Sequence, residues 1–299
     1  MELFSLIRNS ELRSKLLSFD NSKSKTSFYL ELFSLIRNFA TQIPRFMKKV
    51  LFSILMMMML CVFESQAFTV VIDAGHGGRD AGALGRCSRE KNINLAVALA
   101  LGNLIKSNLP DVKVVYTRST DVFVELDQRA RIANKAKADL FISIHTNSTA
   151  AGRSGTKVCG AETYTLGMHR AADNLAVAKR ENSVITLESN YEQRYEGFDP
   201  SSSESYIIFE LMQDQNMAAS VDFASRVQNQ FRSTAGRVNK GVHQAGFLVL
   251  RQTSMPSVLV ELGYINNFSE ETFLMSADGQ QKMARSIFNA FKDYYKKAK

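Results

Sequence analysis

Short apolar runs alternate with amphipathic helical stretches along the chain from residue 68 onwards. Apolar runs that are bounded by turn residues are typical of strands buried on both faces, and apolar positions three or four residues apart are typical of helices. The alternation predicts a single α/β domain at 68–299, with a mostly parallel twisted sheet and helices on both of its faces. The predicted strands are 68–73, 112–117, 140–144, 160–166, 246–250 and 257–262, and the predicted helices are 90–106, 126–137, about 169–179, about 205–231 and a C-terminal helix with Met283, Ile287, Ala290, Phe291 and Tyr294 on its inner face.

Three of the predicted strands end at a residue suited to metal or acid–base chemistry. His76 lies in the glycine-rich loop after 68–73, His145 directly follows 140–144, and Glu261 directly follows the apolar residues 258–260. Ligands of such sheets bind beyond the carboxyl ends of the strands, so we expect these side chains to converge if the strands are parallel neighbours.

Glu90 is a fourth candidate, at the start of the predicted helix 90–106. The helix dipole favours a carboxylate in the first turn, so this position has a purely structural explanation. Ser88 is the predicted cap of the helix. The loop that carries His76 lies just upstream, and this proximity favours a functional role for Glu90.

Two imidazoles and one carboxylate, here His76, His145 and Glu90, are the protein ligands of many catalytic zinc sites, which leave the fourth position to water. The same ligand set also suits iron oxygenases, whereas magnesium prefers oxygen ligands. A zinc site of this kind needs a base. Glu261 fits that role, because burial in an apolar run raises the pKa of a carboxylate towards the working range.

The residues around these four side chains resemble the zinc-dependent N-acetylmuramoyl-L-alanine amidases of the type 3 amidase family. The resemblance rests on four blocks, which occur in the family's order and extend across nearly all of the chain after residue 67. These blocks are 71–78 (VIDAGHGG), 90–95 (EKNINL), 143–147 (SIHTN) and 255–264 (MPSVLVELGY).

The resemblance implies that His76, Glu90 and His145 hold zinc and that Glu261 is the catalytic base. It implies hydrolysis of the amide bond between N-acetylmuramic acid and L-alanine in peptidoglycan, for cell-wall turnover or daughter-cell separation. Two alternatives stay open at this point. One is a zinc peptidase that cuts within the stem peptide, and the other is a non-catalytic wall-binding protein or division scaffold.

Further polar residues have weaker assignments. Asp73 is predicted to brace the loop or a metal ligand rather than to bind metal itself. Asn147 is a candidate substrate contact with no further support from the sequence, and His169 and His243 are interpreted as surface or cleft residues. Gly75, Gly77 and Gly78 are expected to permit positive φ angles and the close approach of a polymeric substrate; these three glycines lie within the block 71–78.

The segment at about 180–205 is poor in apolar residues and is predicted to be an inserted loop. A loop of this length in a compact domain is usually functional or disordered. Some members of the family carry an element that covers the zinc until an activator protein draws it away. Autoinhibition and a protein activator are therefore hypotheses, for which the carboxylates that could reach a metal are Glu181, Glu188, Glu192, Glu196 and Glu204.

The first 67 residues do not read as part of this domain. A basic start at 47–49, an apolar stretch at 50–63 and a small-x-small site at 65–67 predict a signal peptide at 47–67. Residues 1–46, in which the sequence of 2–9 recurs at 31–38, are predicted to be an extension upstream of the true start or a disordered segment. An uncut membrane anchor and lipid attachment at Cys61 are the alternatives.

The net charge of the chain indicates which classes of binding partner it suits. The whole chain carries a net charge of +8, but its first 67 residues hold 9 Lys and Arg against 5 Asp and Glu, which leaves +4 for residues 68–299. A modest positive charge suits an anionic cell wall. The sequence contains no basic run with interleaved aromatic residues, so it does not predict nucleic-acid binding. We expect a secreted protein of the periplasm or cell envelope, with no membrane span after signal cleavage, in which Cys87 and Cys159 either pair or stay free.

Overall fold

The computed structural model describes residues 67–151, 155–168, 171–211 and 215–299. The predicted extension at 1–46 and the predicted signal peptide lie outside these residues, apart from Ala67. His169 also lies outside them. Within the described part of the chain, no helix is both long and apolar enough to cross a membrane.

Six strands of the described residues form one sheet, in the order β2-β1-β3-β6-β4-β5. Neighbouring strands are parallel, except that β4 and β6 are antiparallel. The strands that were expected to carry the site, β1, β3 and β6, are direct neighbours, which confirms the predicted fold. The strands are β1 (Thr69–Ala74), β2 (Lys113–Tyr116), β3 (Leu140–Asn147), β4 (Ala161–Leu166), β5 (Asn239–Ala245) and β6 (Ser257–Tyr264).

Helices cover both faces of the sheet, and a run of short helical turns connects α3 to α6. Single turns of 3-10 helix lie at Ser183–Leu187 and Glu204–Ile207. The α-helices are α1 (Glu90–Asn108), α2 (Leu126–Lys135), α3 (Ala172–Asn182), α4 (Tyr191–Arg194), α5 (Ile208–Leu211), α6 (Met217–Ser233), α7 (Leu248–Arg251), α8 (Phe268–Met275) and α9 (Ala277–Ala298).

The alternation of side chains along each strand divides the core into two apolar layers. Val70 and Ile72 of β1 face one layer, which they share with α1, α6 and α9. Val71 of β1 and Leu259 of β6 face the other layer, together with α2, α3 and α7. All five residues predicted for the inner face of the C-terminal helix are buried in the first layer. Because the strands are covered on both sides, the site residues can emerge only at the strand ends.

The predicted cap of α1 is wrong. The N-cap residue is Arg89, whose side chain makes no capping hydrogen bond. The Ser88 hydroxyl instead donates to Glu271 Oε1 at 2.7 Å, an atom that also accepts from the backbone N–H groups of Cys87 and Ser88. Glu90 is still the first residue of the helix, as expected.

The predicted strand at 246–250 is also wrong, because part of this run forms the short helix α7. Its apolar residues are buried in the second layer, where they pack against α2 and β4. The sixth strand is β5 at the sheet edge, where all residues but Ala245 are half-exposed. A polar edge strand lacks the apolar signal of a buried strand, and a buried helical turn imitates that signal.

The predicted long helix at about 205–231 is only partly right, because α5 and α6 are separate elements. The 180–205 segment is not an extended loop either. It begins within the last turn of α3 and continues through 3-10 turns and α4. Cys87 and Cys159 are both exposed and free.

We expect Leu101→Ala to lower the free energy of unfolding by about 2–5 kcal/mol, the usual cost of a leucine-sized cavity. Leu101 is fully buried where α1 packs in the first layer. Urea denaturation measures the change. Asn103→Ala, at an exposed position of the same helix, is the control and should stay within about 0.5 kcal/mol of the parent. Equal effects of the two substitutions would contradict this packing of α1.

Candidate metal centre and active site

The loop after β1 holds His76 in a left-handed backbone conformation, with φ at 62°. Such a conformation is strained for a residue with a side chain and persists only when its surroundings enforce it. Arg129 Nη2 donates to the carbonyl of His76 at 2.9 Å, and Arg118 Nη2 donates to that of Gly75 at 2.9 Å. Two buried guanidinium groups therefore fix the path of this loop.

Gly75 does not have a positive φ angle, contrary to the expectation for this position. It instead allows the backbone to approach the His145 ring closely. A Cβ atom at Gly75 would overlap the ring of His145. Gly77 and Gly78 do have positive φ angles, at 127° and 56°. The glycines of the loop thus bring β1 against the His145 ring and then turn the chain.

Four buried side chains converge at the carboxyl edge of the sheet. His76 Nε2 lies 3.1 Å from both Glu90 Oε1 and Glu181 Oε2. His145 Nδ1 lies 3.2 Å from Glu90 Oε1 and 3.1 Å from Glu181 Oε2. The four atoms all lie within 4.8 Å of one another and could hold a metal ion. We call this group the cage.

The hydrogen bonding of the cage fits a metal. Among the described residues, His76 Nε2, His145 Nδ1 and Glu181 Oε2 are buried without a hydrogen-bond partner, although each lies near the others. The atoms therefore point at a common centre rather than at one another. Tetrahedral zinc with nitrogen and oxygen ligands at about 2.0–2.1 Å requires ligand atoms roughly 3.3 Å apart, which is close to the observed spacing.

Hydrogen bonds to neighbouring groups orient the side chains of the cage. His76 Nδ1 lies 2.6 Å from Asp80 Oδ2, an interaction that orients the ring and leaves Nε2 towards the centre. Glu90 Oε1 accepts from the N–H of Thr146 at 2.9 Å and from Asn94 Nδ2 at 3.1 Å. Its Oε2 accepts from the N–H of Ala83 at 2.8 Å. The helix-start carboxylate is thus locked in an inward orientation.

The charges of the cage are mutually dependent. Burial would lower the pKa of His76 and of His145, but the carboxylates outweigh it, raising the pKa of His145 to about 9 and that of His76 well above its usual value. Burial would raise the pKa of Glu90, but His76 and His145 hold it well below the usual range. Burial and the Glu90 charge would raise the pKa of Glu181, yet the histidines hold it at about 2. Two carboxylates are thus charge-balanced by cations at one point.

Glu261 lies beside the cage, in register with His145 across β3 and β6. Its side chain is buried, and neither carboxylate oxygen has a hydrogen-bond partner among the described residues. Burial, followed by repulsion from Glu181, raises the pKa of Glu261 well above its usual value. A desolvated carboxylate with free lone pairs is a strong candidate for a general base.

Glu181 is the cage residue that the sequence did not single out. It was one of five candidate carboxylates, of which Glu192, Glu196 and Glu204 are exposed. Glu188 is buried elsewhere, in a second acidic group with Glu125 and Asp127, where Arg194 forms ion pairs with Glu125 and Glu188. Helical periodicity does distinguish Glu181, because it shares the buried face of α3 with Asn174, Val177 and Ala178.

Asp73 braces the site from below, as predicted. Its Oδ1 accepts from Arg129 Nη1 at 2.8 Å and from the Thr117 hydroxyl at 2.5 Å, and its Oδ2 accepts from the Ser143 hydroxyl at 2.6 Å. Burial would raise the pKa of Asp73, but Arg129 and the two hydroxyls lower it. His243, predicted to be a surface or cleft residue, is half-buried on β5.

A single α/β domain with a four-residue cage beside a buried, unpaired carboxylate has the composition of a metallohydrolase. The comparisons with known proteins assign the family. The profile of the N-acetylmuramoyl-L-alanine amidases matches residues 70–293, and the chain belongs to this family.

Individual relatives agree with this assignment. The chain is similar to the N-acetylmuramoyl-L-alanine amidase AmiC of Escherichia coli O6:H1, with 35% identity over 78% of this chain and 54% of AmiC. It is similar to AmiA of Escherichia coli K12, with 33% identity over 76% of this chain and 75% of AmiA. The catalytic domain of the amidase CwlV from Paenibacillus polymyxa var. colistinus superposes with a TM-score of 0.56 at 32% identity, over 77% of this chain and 98% of that domain.

The comparisons confirm the predicted family and fold class, those of the N-acetylmuramoyl-L-alanine amidases. The chain spans only about half the length of the AmiC relative. The roles of His76, Glu90, His145 and Glu261 stay predictions, although the structure does bring all four together.

Arg129→Met should lower the free energy of unfolding by about 3–5 kcal/mol, because it leaves the Asp73 carboxylate buried without its cation. The two side chains are almost fully buried. Arg131→Met on the same helix, where the side chain is 69% exposed, is the matched control, with an expected cost of about 1 kcal/mol or less. Adding Asp73→Asn to Arg129→Met should recover part of the loss. A cost of Arg129→Met no larger than that of Arg131→Met in urea denaturation would contradict this account.

Proposed function

We propose that the chain is a zinc-dependent hydrolase that cleaves the amide bond between N-acetylmuramic acid and L-alanine, with His76, Glu90 and His145 as zinc ligands and Glu261 as the catalytic base. The observation that supports this most is the convergence of three cage atoms next to a buried carboxylate that has no hydrogen-bond partner. The membership of the amidase family supports the choice of bond and of peptidoglycan as the substrate.

Each residue has a defined task in this proposal. When bound, zinc lowers the pKa of water and polarises the scissile carbonyl. Glu261 accepts the proton of the attacking water and passes it to the leaving amine of L-alanine. Asp80 fixes the ring of His76, and the N–H of Thr146 fixes the carboxylate of Glu90, so both ligands keep their orientation through the cycle.

The role in the cell follows from the predicted leader and the charge. A signal peptide at 47–67 would deliver the protein to the periplasm or cell envelope, where peptidoglycan lies. The net charge of +4 at 68–299 favours approach to that anionic polymer. We propose a role in cell-wall turnover or daughter-cell separation.

We also propose that Glu181 keeps this form of the enzyme inactive. Its carboxylate fills the fourth corner of the cage, the position that a catalytic zinc site keeps for water and substrate. The three proposed zinc ligands come from the loop after β1, from α1 and from β3, whereas Glu181 comes from the last turn of α3, where the inserted segment begins. We call residues 180–188 the blocking segment.

Polar contacts hold the blocking segment at both ends, and at its start Arg180 donates to the Ser148 carbonyl at 2.7 Å. At its far end, Glu188 Oε1 accepts from the N–H of Leu126 at 2.8 Å, at the start of α2. Glu188 Oε2 accepts from the Tyr195 hydroxyl at 2.7 Å, and Arg194 Nη1 lies 3.3 Å from the same oxygen and 2.5 Å from Glu125. In between, Arg79 of the His76 loop donates to the carbonyl of Leu187 at 2.8 Å. A protein activator would have to break these contacts to open the site.

Glu261→Gln should keep the metal and lose activity, by roughly 100- to 10,000-fold, because the base is removed while the cage is unchanged. His76→Ala should lose both, because it removes a ligand. Metal content and the release of peptides from purified sacculi are measured together for the two variants and the parent. Products with a free L-alanine amino terminus and a lactyl group on muramic acid distinguish the amidase from a peptidase. A Glu261→Gln variant that matches the parent's activity would overturn the assignment of the base.

Glu181→Ala should raise the activity on sacculi about 10- to 1,000-fold, if the open form of the parent is populated at about 0.1–10%. Zinc should remain bound through the three other ligands. Glu192→Ala is the matched control, because Glu192 is exposed in the same inserted segment. Activity of a folded, zinc-loaded Glu181→Ala variant that equals or falls below that of the parent would refute autoinhibition.

A further inference from the structure

Asn147 is a fully buried side chain beside the cage that the proposed reaction does not yet use. It lies two residues beyond His145 on β3, past an irregularity in the register with β6. Its partner Arg180 directly precedes Glu181 of the cage, and His145 is in register with Glu261. Asn147 therefore borders the space in which the scissile bond must lie.

The two polar atoms of the Asn147 amide differ in their bonding. Its Oδ1 accepts from Arg180 Nη2 at 2.6 Å and from the N–H of Ser148 at 2.8 Å, which fixes the orientation of the amide. Its Nδ2 is buried and has no hydrogen-bond partner among the described residues. A buried donor without a partner is rare and costly in proteins, so it calls for an explanation.

Arg180 and Glu181 occupy the site as a pair. Arg180 Nη1 donates to the carbonyl of Ser148 at 2.7 Å, while Nη2 donates to Asn147. The neighbouring Glu181 lies in the cage, and its Oε1 is 3.3 Å from Arg180 Nε. Withdrawal of the blocking segment would therefore free two acceptors, Asn147 Oδ1 and the Ser148 carbonyl, next to the unused donor Nδ2.

One donor and two acceptors beside the cage match the backbone of a peptide, in which each amide offers one N–H and one carbonyl. We propose that Asn147 and the carbonyl of Ser148 form a subsite for an amide of the substrate's stem peptide, and that Arg180 occupies this subsite in the closed form. Asn147 Nδ2 donates to the substrate carbonyl, and Oδ1 accepts the substrate N–H. This inference rests on the proposed function.

In the closed form, Arg180 acts as a substrate mimic at this subsite. Its guanidinium presents N–H donors to the two acceptors, as a peptide N–H would. A guanidinium offers donors only, which explains why Nδ2 has no partner while the segment is in place. The blocking segment would thus cover two positions, the fourth corner of the cage through Glu181 and the amide subsite through Arg180.

Direct binding tests the subsite. The parent for this measurement is the zinc-loaded Arg180→Ala/Glu181→Ala/Glu261→Gln protein, in which neither Arg180 nor Glu181 can occupy the site and the proposed base is absent. A soluble N-acetylmuramoyl peptide is titrated by calorimetry. Adding Asn147→Ala should weaken binding about 5- to 20-fold, the effect of one or two hydrogen bonds, with zinc content and thermal midpoint unchanged. Asn147→Asp, nearly identical in shape, should weaken it similarly because it lacks the donor.

Asn134→Ala is the matched control. Asn134 lies on α2 and bonds to Gln252 and Ser254 before the start of β6, at the opposite edge of the sheet from the cage. We expect no change in its peptide affinity. Affinities of both Asn147 variants within twofold of the parent, or losses matched by Asn134→Ala or by loss of zinc, would overturn the subsite. A parent that binds no peptide would refute the proposed substrate and the subsite together, whereas a binding parent with insensitive Asn147 variants refutes the subsite alone.

The role of Arg180 is tested in the otherwise unaltered chain. Arg180→Ala should strengthen binding of the same peptide and raise activity on sacculi severalfold, because the subsite becomes accessible. Lys179→Ala is the control, since Lys179 is adjacent and its ammonium group donates to the Ser203 hydroxyl at 2.9 Å, away from the cage. Equal effects of the two substitutions would show that Arg180 does not occupy the subsite.

Discussion

The geometry of the site depends on two carboxylates that are buried next to each other in the cage. Glu90 and Glu181 bring two carboxylates within hydrogen-bond distance of two imidazoles, and three of the four facing atoms have no hydrogen-bond partner among the described residues. Isolated charges in such a place are strongly disfavoured, so positive charge must be present, either as protons on the histidines or as a bound metal ion. The hydrogen bonds that surround the cage, such as the one between His76 and Asp80 and the one from the N–H of Thr146 to Glu90, keep these atoms facing inward.

The sheet makes this concentration of polar atoms possible. Parallel pairing of β1, β3 and β6 aligns three strand ends, and the register places His145 beside Glu261. Arg129 maintains the strained conformation of His76. The positive charge of Arg129 is compensated by Asp73 of β1, the strand that precedes the His76 loop. The buried ion pair below the site therefore helps to fix the geometry of His76, the proposed metal ligand above it, so the geometry of the site and the stability of the fold both depend on one guanidinium.

The sequence was most informative where local pattern and topology agree. The apolar runs that precede His76, His145 and Glu261 predicted three strands. Convergence of the three side chains was expected on the condition that these strands are parallel neighbours, which they are. The hydrophobic pattern gave wrong predictions where the position of a segment in the tertiary structure determines its polarity. Strand β5 is polar because it lies at the edge, and 247–250 is apolar because a helical turn is buried. Glu181 was one carboxylate among five. The periodicity of α3 places it on the buried face of that helix, but its contact with the cage depends on how α3 packs.

The packing of the inserted segment also limits how the site can open. Val184, Ile185, Phe198, Tyr206 and Phe209 all belong to the second apolar layer. Exposing one such side chain costs about 1.5–3 kcal/mol, so detaching all five would cost roughly 8–15 kcal/mol, which is as much as the stability of a typical domain. Opening must therefore be local. A movement of the last turn of α3 that carries Arg180 and Glu181 away, while the aromatic residues of 195–209 stay packed, breaks mainly polar contacts. Such contacts are readily replaced by those of a substrate or a partner, because each lost hydrogen bond has a small net free energy when its groups find new partners.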